Sequence, residues 1–186
     1  MPRSIAGTVL GILLLLVPPV AAVATPIVGP LPVIAGLLVC LVARATFREA
    51  LPPSMVACLF VVAISVVAVG VFDPELATML YPVFMNATML VVFALTLWRP
   101  PTMIERFARL MEPDLDAHGV SYTRRLTWVW VGFFLVNGCI ALWTVSQGSW
   151  LVWGIYNGGI AYVLAGSLLG GEYLVRRIVR ERSRAA

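Results

Sequence analysis

Apolar residues fill six stretches of this chain, and short polar or proline-containing segments separate them. A helix that crosses a bilayer needs about 20 predominantly apolar residues. The pattern therefore predicts an all-α integral membrane bundle of six transmembrane helices, with residues 1–186 forming a single domain. The predicted spans are residues 5–23, 27–43, 53–72, 76–98, 126–144 and 150–173.

Prolines and polar residues mark the boundaries between these spans. Residues 25–30 (TPIVGP) have the composition of a turn and divide the first long apolar run into a hairpin of two spans. Pro53 stands in the first turn of span three, where its missing N–H does no harm. Asp73 is predicted to cap span four with Pro74 at the first helical position, and Pro82 is expected to kink that span.

The composition excludes the soluble alternatives. Hydrophobic residues make up 61% of the chain and charged residues 12%, against about 45–50% and about 25% in a typical soluble domain. A soluble domain of this length leaves much of its surface exposed and could not bury so many apolar side chains. Intrinsic disorder is excluded because disordered chains are poor in apolar residues.

The distribution of basic residues predicts the orientation of the spans. All 13 basic residues are arginines, and the net charge is +4. With the N-terminus in the cytoplasm, every arginine falls on the cytoplasmic side, as the positive-inside rule expects. Both termini are then cytoplasmic, residues 99–125 form a cytoplasmic interfacial linker, and residues 176–186 form a basic tail. The tryptophans all fall near predicted membrane interfaces, where indole rings are favoured: Trp98, Trp128, Trp130, Trp143, Trp150 and Trp153.

The first span has an alternative interpretation as a cleaved signal. Arg3, the apolar run after it and the small residues of 20–24 (VAAVA) resemble a secretory signal peptide with a cleavage site. Cleavage would leave five spans in the same orientation. The six-span interpretation retains this segment as the first transmembrane helix.

The linker between spans four and five predicts a short amphipathic helix. Thr102 and Glu105 have the spacing of a capping box, and Pro113 is expected to end the helix. Glu105 and Arg109 are also spaced to form an ion pair one turn apart. One face is apolar, with Met103, Ile104, Phe107, Ala108 and Met111, and the other is charged, with Glu105, Arg106, Arg109 and Glu112. We expect this helix to lie in the cytoplasmic interface with its arginines near anionic headgroups.

Two sets of polar residues are candidate sites. The linker set would bind lipid headgroups or a partner protein, or would only connect two spans; its members are Glu105, Arg106, Arg109, Glu112, Asp114, Tyr122 and Arg124. The intramembrane set is expected to form hydrogen bonds between helices or to contact a ligand, and comprises Asn86, Asn137 and Asn157. Small residues at four-residue spacing in span six predict close packing against another span or a second copy of the chain: Gly154, Gly158, Gly166 and Gly170.

The sequence lacks the residues that common membrane enzymes need. His118, the single histidine, has no His or Cys at ligand spacing, and the three cysteines (Cys40, Cys58, Cys139) form no CxxC motif, so no metal site is predicted. There is no Gly-rich phosphate loop, and no cofactor is expected. Asp114 and Asp116 could hold a divalent cation, but the flanking residues of a lipid-alcohol transferase are missing. We expect no catalysis and, because the modest positive charge suits anionic lipid, no nucleic-acid partner.

A series of short motifs covers residues 76–175: Tyr81-Pro82-Val83-x-Met85-Asn86, Pro100-Pro101-x-x-Ile104-Glu105-Arg106, Glu112-Pro113-Asp114-Leu115, Tyr122-Thr123-Arg124, Asn137-Gly138, Tyr156-Asn157-Gly158 and Glu172-Tyr173. These motifs resemble an uncharacterised family of bacterial inner-membrane proteins, often encoded beside aryl-polyene or fatty-acid-like biosynthesis genes. The resemblance implies an inner-membrane location and a role alongside lipid-like product assembly. The order of parts is more distantly similar to intracellular septation protein A, although that family is Lys-rich in its inner loops and this chain has no Lys.

The function expected from these observations is that of a non-catalytic accessory protein of the inner membrane. It would support envelope biogenesis or lipid-like product synthesis by docking partners, including cytoplasmic biosynthetic proteins, at the linker. One alternative is a small transporter or lipid carrier, and another is a septation-related membrane protein. A lipid-modifying enzyme that uses the Arg/Asp cluster of the linker is a further alternative.

Fusion reporters test the predicted topology. A reporter that is active only in the cytoplasm should be active when fused after Met111 or after Arg182, and silent when fused after Gln147. Activity at Gln147 would contradict the six-span layout. Neutralising Arg124 and Arg125 together should weaken the orientation, because these charges hold the start of span five on the cytoplasmic side.

Overall fold

A computed structural model describes residues 20–21, 23–25, 27–46, 53–111 and 113–172. This part of the chain is helical and contains no β-strand, as the all-α prediction requires. Its helices are α1 (Pro30–Thr46), α2 (Pro53–Gly70), α3 (Pro74–Trp98), α4 (Met103–Met111), α5 (Ala117–Ser146) and α6 (Trp150–Glu172). Within α6, residues Tyr156–Ile160 form one π-helical turn.

Four of these helices, α2, α3, α5 and α6, are long and apolar enough to cross a membrane. The helix α1 is apolar over Pro30–Ala43, which is shorter than the other four. The predicted first span, residues 5–23, lies almost entirely outside the described residues. The count of six spans therefore stays a prediction, whereas an all-helical chain with several membrane-length apolar helices is confirmed.

Aspartate side chains cap the N-terminal ends of α3 and α5. At α3, Asp73 Oδ1 accepts a hydrogen bond from the Leu76 N–H at 2.9 Å, and Pro74 occupies the first turn, as predicted. At α5, Asp116 Oδ1 accepts from the Gly119 N–H at 2.7 Å. These caps pair amide groups that the first helical turn leaves without a backbone partner.

Two boundaries differ from the sequence prediction. The described residues of 20–28 are helical, so the break before α1 is confined to Gly29, whose φ of +82° suits glycine, rather than extending over 25–30. The helix α5 begins at Ala117, well before the predicted start of span five at residue 126. The early start follows from the Asp116 cap and from the absence of proline after it. Residues 117–125 therefore form the first turns of α5, and the start of the membrane span at residue 126 stays a prediction.

The helix α3 is the centre of the packing. It contributes to each of three buried clusters: Ala77 and Tyr81 pack with α1 and α2, Phe93 packs with α4 and α5, and Met79 packs with Trp153 of α6. Helices α3 and α5 approach closely at Gly138, where an added Cβ would lie 3.1 Å from the Asn86 Cβ. Glycine at this position therefore permits the approach of the two helices.

Replacing Gly138 with leucine should destabilise the bundle, since the added side chain would force α3 and α5 apart. We expect a loss of about 1–3 kcal/mol, the usual cost of overpacking, measured by thermal unfolding of the detergent-solubilised protein. Gly132→Leu is the matched control on the same helix, because no described atom lies within 4 Å of a Cβ at Gly132. Equal stability of the two variants would contradict this account of the α3–α5 contact.

Candidate functional site

The short helix α4 packs against the bundle rather than presenting its apolar face to lipid. Its residues Met103, Ile104 and Ala108 are buried, and the first two join a cluster that contains Phe93 of α3 and Trp130 of α5. The apolar face was expected to contact the membrane interface. The aromatic side chains of α3 and α5 cover it instead, because they offer an apolar surface close to the point where the chain leaves α3.

The predicted capping box and ion pair of α4 are both present. The Glu105 N–H donates to Thr102 Oγ1, and the Thr102 N–H donates to Glu105 Oε2, each at 3.4 Å. Arg109 donates from Nε and Nη2 to Glu105 Oε1 at 2.9 and 2.8 Å. Glu105 belongs to the charged face of α4, yet its side chain is only 6% exposed, because the cap and the ion pair hold it against the bundle.

The two arginines of α4 also bind the chain on either side of it. Arg106 Nε donates to the Pro101 carbonyl oxygen at 3.0 Å, and Arg109 Nη1 donates to the Pro113 carbonyl oxygen at 3.2 Å. The Met103 N–H donates to Thr96 Oγ1 of α3 at 3.0 Å, which attaches the start of the helix to the bundle. The arginines therefore have a structural role in addition to any role in docking.

The other predicted linker residues are dispersed. Asp114 is exposed in the turn after α4, and Arg124 is exposed on α5. Tyr122 is partly buried against the same aromatic cluster as α4. Glu112 lies outside the described residues. Within the linker set, the hydrogen bonds described above join Glu105 to Arg109.

A cavity of about 340 Å³ lies beside α4, between the arginine-rich ends of the long helices. Five helices contribute to its walls, and the side chains are apolar except for Glu172. The lining residues are Met55, Met89, Phe93, Ile104, Phe107, Ala108, Trp130, Phe134, Leu169 and Glu172. No local pattern in the sequence marks this site, because its walls come from residues far apart in the chain with no motif in common.

Trp130, one of the residues that line this cavity, has a buried polar group without a described partner. Its side chain is 7% exposed, and its Nε1 has no hydrogen-bond partner in the described part of the chain. The rings of Phe93, Phe133 and Phe134 surround the indole, with centroids 5.5–6.4 Å away. A buried N–H without an acceptor typically costs about 1–3 kcal/mol.

The other tryptophans show that Trp130 is an exception. The sequence predicted all six at membrane interfaces, and Trp98, Trp128 and Trp143 are indeed exposed. Trp153 is fully buried, but its Nε1 donates to the Met79 carbonyl oxygen at 2.9 Å. Trp150 Nε1 donates to Glu75 Oε1 at 2.7 Å. The rings of Trp130 and Trp153 are covered by packing between helices, and their position at a membrane interface stays a prediction.

The three intramembrane asparagines take part in hydrogen bonds inside the bundle. Asn137 Nδ2 donates to Asn86 Oδ1 at 2.9 Å, and Tyr156 Oη donates to Asn137 Oδ1 at 2.8 Å, so one chain of bonds joins α3, α5 and α6. Asn157 Nδ2 donates to Thr144 Oγ1 at 3.0 Å and adds a second link between α5 and α6. Tyr156 and Asn157 are adjacent and both buried at the π-helical turn. These amides hold the helices together.

The glycines of span six do not all pack against the bundle. No atom of the described residues lies within 4 Å of a Cβ built at Gly166 or Gly170. Gly154 and Gly158 are partly buried. Within the described part of the chain, contact with a neighbouring span therefore does not explain all four of these glycines.

Comparisons with known proteins do not assign the chain to a family. No protein-family model matches it, and no curated protein or solved structure is significantly similar to it. The resemblance to inner-membrane proteins encoded near lipid-like biosynthesis genes therefore stays a hypothesis from motifs. No group of three or more His, Cys, Asp or Glu residues that could hold a metal lies among the described residues. The cavity and α4 are therefore the features of the described structure that bear on function.

Removing Arg109 should destabilise the packing of α4 more than removing Arg106. Arg109→Ala leaves the buried Glu105 carboxylate without its cation, which we expect to cost about 1–3 kcal/mol. Arg106→Ala loses one partly exposed bond to a carbonyl and should cost about 0–1 kcal/mol. Thermal unfolding of the purified variants measures both losses.

The double variant Glu105→Gln/Arg109→Ala is the control for this explanation. A neutral amide at position 105 needs no cation, so the double variant should be more stable than Arg109→Ala alone. If the two arginine variants lose equal stability, or if the double variant recovers none, the buried ion pair does not hold α4 in place.

Proposed function

We propose that this chain is a multi-pass protein of the bacterial inner membrane that binds the hydrocarbon part of a lipid-like molecule at its arginine-rich face. By holding that molecule, it would support envelope biogenesis or lipid-like product synthesis without a catalytic step of its own. This combines the accessory role expected from the sequence with the lipid-carrier alternative. The proposal rests on the apolar cavity beside α4.

The size and lining of the cavity favour a hydrocarbon ligand. Its volume of about 340 Å³ falls within the range of about 300–1,000 Å³ that is usual for small-molecule sites. Its walls are almost entirely aliphatic and aromatic side chains, which gain little from water and bind hydrocarbon well. Met55 and Met89 add flexible side chains, which adapt to ligands of different shape.

The proposed arrangement has six spans with both termini in the cytoplasm. It is supported by the position of the described arginines, because Arg99, Arg106, Arg109, Arg124 and Arg125 all lie on or beside α4 and the adjoining ends of α3 and α5. The acids Asp73 and Glu75 lie at the opposite end of α3. By the positive-inside rule, the cavity then lies near the cytoplasmic leaflet.

The outer surface of α4 is the proposed contact for anionic headgroups or a cytoplasmic partner protein. The Arg109 side chain is 40% exposed although it is paired with Glu105. Guanidinium groups near an anionic membrane surface each contribute about 1 kcal/mol of attraction. A ligand bound in the cavity would therefore lie directly behind the surface at which a partner docks.

Photo-cross-linking of the purified protein in nanodiscs tests hydrocarbon binding. A diazirine-bearing hexadecane probe should label Phe107 and Phe134 more strongly than lipid-facing residues such as Val129. Ala108→Phe should remove most of the cavity labelling, because the added ring occupies the space that the ligand needs. Labelled peptides are identified by mass spectrometry.

The matched control is Ala87→Phe, which adds the same ring at an exposed position on α3 and should leave cavity labelling unchanged. Leu169→Trp, at a cavity residue that is 54% exposed, is a second way to obstruct the site if Ala108→Phe does not fold. Labelling that is no stronger in the cavity than at Val129, or that neither obstructing variant reduces, would contradict the proposal.

A further inference from the structure

The helix α6 contains one residue more than a continuous α-helix would need, at the π-helical turn Tyr156–Ile160. The Ala161 N–H donates to the Tyr156 carbonyl oxygen, five positions back instead of the usual four. Turns of this kind are rare, and they occur frequently at functional sites. The turn divides α6 into a first half, residues 150–160, and a second half, residues 161–172.

The extra residue sets which face of the second half meets the bundle. Successive residues of an α-helix turn by about 100°. In a continuous α-helix, Glu172 would therefore lie about a quarter turn away from the buried face of the first half, which carries Trp153 and Asn157. With one residue absorbed by the π-turn, the second half returns to that face. Of its partly buried residues, all but Tyr162 lie there: Ala161, Ala165, Leu168 and Glu172.

Hydrogen bonds fix the first half of α6 to the bundle. Trp153 Nε1 donates to a carbonyl oxygen of α3 at 2.9 Å. Tyr156 Oη and Asn157 Nδ2 donate to side chains of α5 at 2.8 and 3.0 Å. The last two donors belong to the π-turn itself, so these bonds hold α6 up to the point where its second half begins.

The second half of α6 is a wall of the cavity, yet it is loosely packed. Leu169 and Glu172 line the cavity. Every residue of 161–172 is at least partly exposed, and Leu169 is more than half exposed. A Cβ added at Gly166 or Gly170 would meet no described atom within 4 Å. The second half therefore has room to turn about its own axis.

An ordinary α-helical turn in place of the π-turn would give the second half a different register. Each later residue would rotate by about 100°, and Ser167 and Gly171 would take the places of Leu168 and Glu172. Serine and glycine are smaller than the side chains they replace, so the opening between the cavity and the surrounding lipid would widen. The α-helical turn is the commoner form, and shifts of helix register occur within microseconds to milliseconds.

We infer that the second half of α6 is a lateral gate of the cavity, and that the π-turn is its pivot. In the π-helical register of this structure, Leu168 packs against the aromatic cluster and Glu172 lines the cavity. In the α-helical register, Ser167 and Gly171 leave a wider opening through which a hydrocarbon chain enters from the bilayer. A bound chain favours the π-helical register, because it fills the cavity that this register encloses. The inference rests on the proposed hydrocarbon binding and adds the route of entry.

Deleting Gly159 tests the pivot, because it removes the extra residue. A continuous α-helix then aligns both halves with the bundle, and no second register does so. Labelling of Phe134 by the diazirine-hexadecane probe should reach the wild-type level. It should do so roughly twofold to tenfold more slowly, as if one hydrogen bond between helices had to break at each opening. Nanodiscs are mixed with probe-loaded vesicles and illuminated at increasing times, while the exposed Val129 reports the arrival of the probe.

Inserting an alanine after Gly159 is the matched control. It turns the second half by a further 100° or so and should lower the final labelling of Phe134, whereas in a helix without a π-turn a deletion and an insertion would be equally harmful. A deletion variant that is labelled as fast as the wild type would overturn the gate, and one that stays below the wild-type level would overturn the register assignment. Wild-type protein without preferential labelling of Phe134 would instead contradict the proposed function.

Distances between spin labels test the gate without a deletion. Labels at Ser167 and Val129 report on the second half of α6, and labels at Leu151 and Leu142 report on the first; all four positions are exposed. The three native cysteines are replaced by alanine. Double electron–electron resonance should give two distances for the first pair, which merge into one when excess hexadecane is added, and one distance for the second pair. A single, unchanging distance for both pairs would overturn the inference.

Discussion

The close contact between α3 and α5 is the constraint on which the rest of the bundle depends. Gly138 lets the two helices approach, and the approach brings Asn137 within 2.9 Å of Asn86. In hydrocarbon, polar side chains that bond across helices and small residues that permit close packing are the main sources of helix association. Tyr156 extends the same hydrogen-bonded chain to α6. The central contact thus determines the positions of three helices at once.

The buried tryptophans at the two ends of this bundle differ in their hydrogen bonds. At the acidic end, the indole N–H groups of Trp150 and Trp153 donate to Glu75 and to the Met79 carbonyl oxygen. At the arginine-rich end, the Trp130 N–H lacks an acceptor in the described part of the chain. A packed protein interior contains few voids. The apolar cavity lined by residues of five helices is therefore the feature that makes this end the candidate site.

The linker has a different role from the one its amphipathic pattern indicates. An amphipathic helix beside a membrane can bury its apolar face in lipid or in protein, and the pattern is the same in both cases. Here Met103 and Ile104 join the aromatic cluster of α3 and α5, and the pair formed by Glu105 and Arg109 reinforces that position. The helix α4 is therefore a wall of the cavity on its inner side and a charged surface on its outer side. The bound ligand in the cavity and the partner docked at the outer surface would then be separated by one short helix.

Features that depend on neighbouring residues could be predicted from the sequence alone. The cap at Asp73, the capping box of Thr102 and Glu105, and the pair of Glu105 with Arg109 each join residues three or four positions apart, so local spacing was enough to predict them. The all-α fold class and the membrane-length apolar helices could be predicted from composition and from the length of the apolar stretches. Three features arise only from contacts between helices: the burial of Trp130, the packing of α4 on protein, and the cavity between helices far apart in the chain. Those features depend on which faces of the long helices meet, and an apolar helix presents similar surfaces on every side.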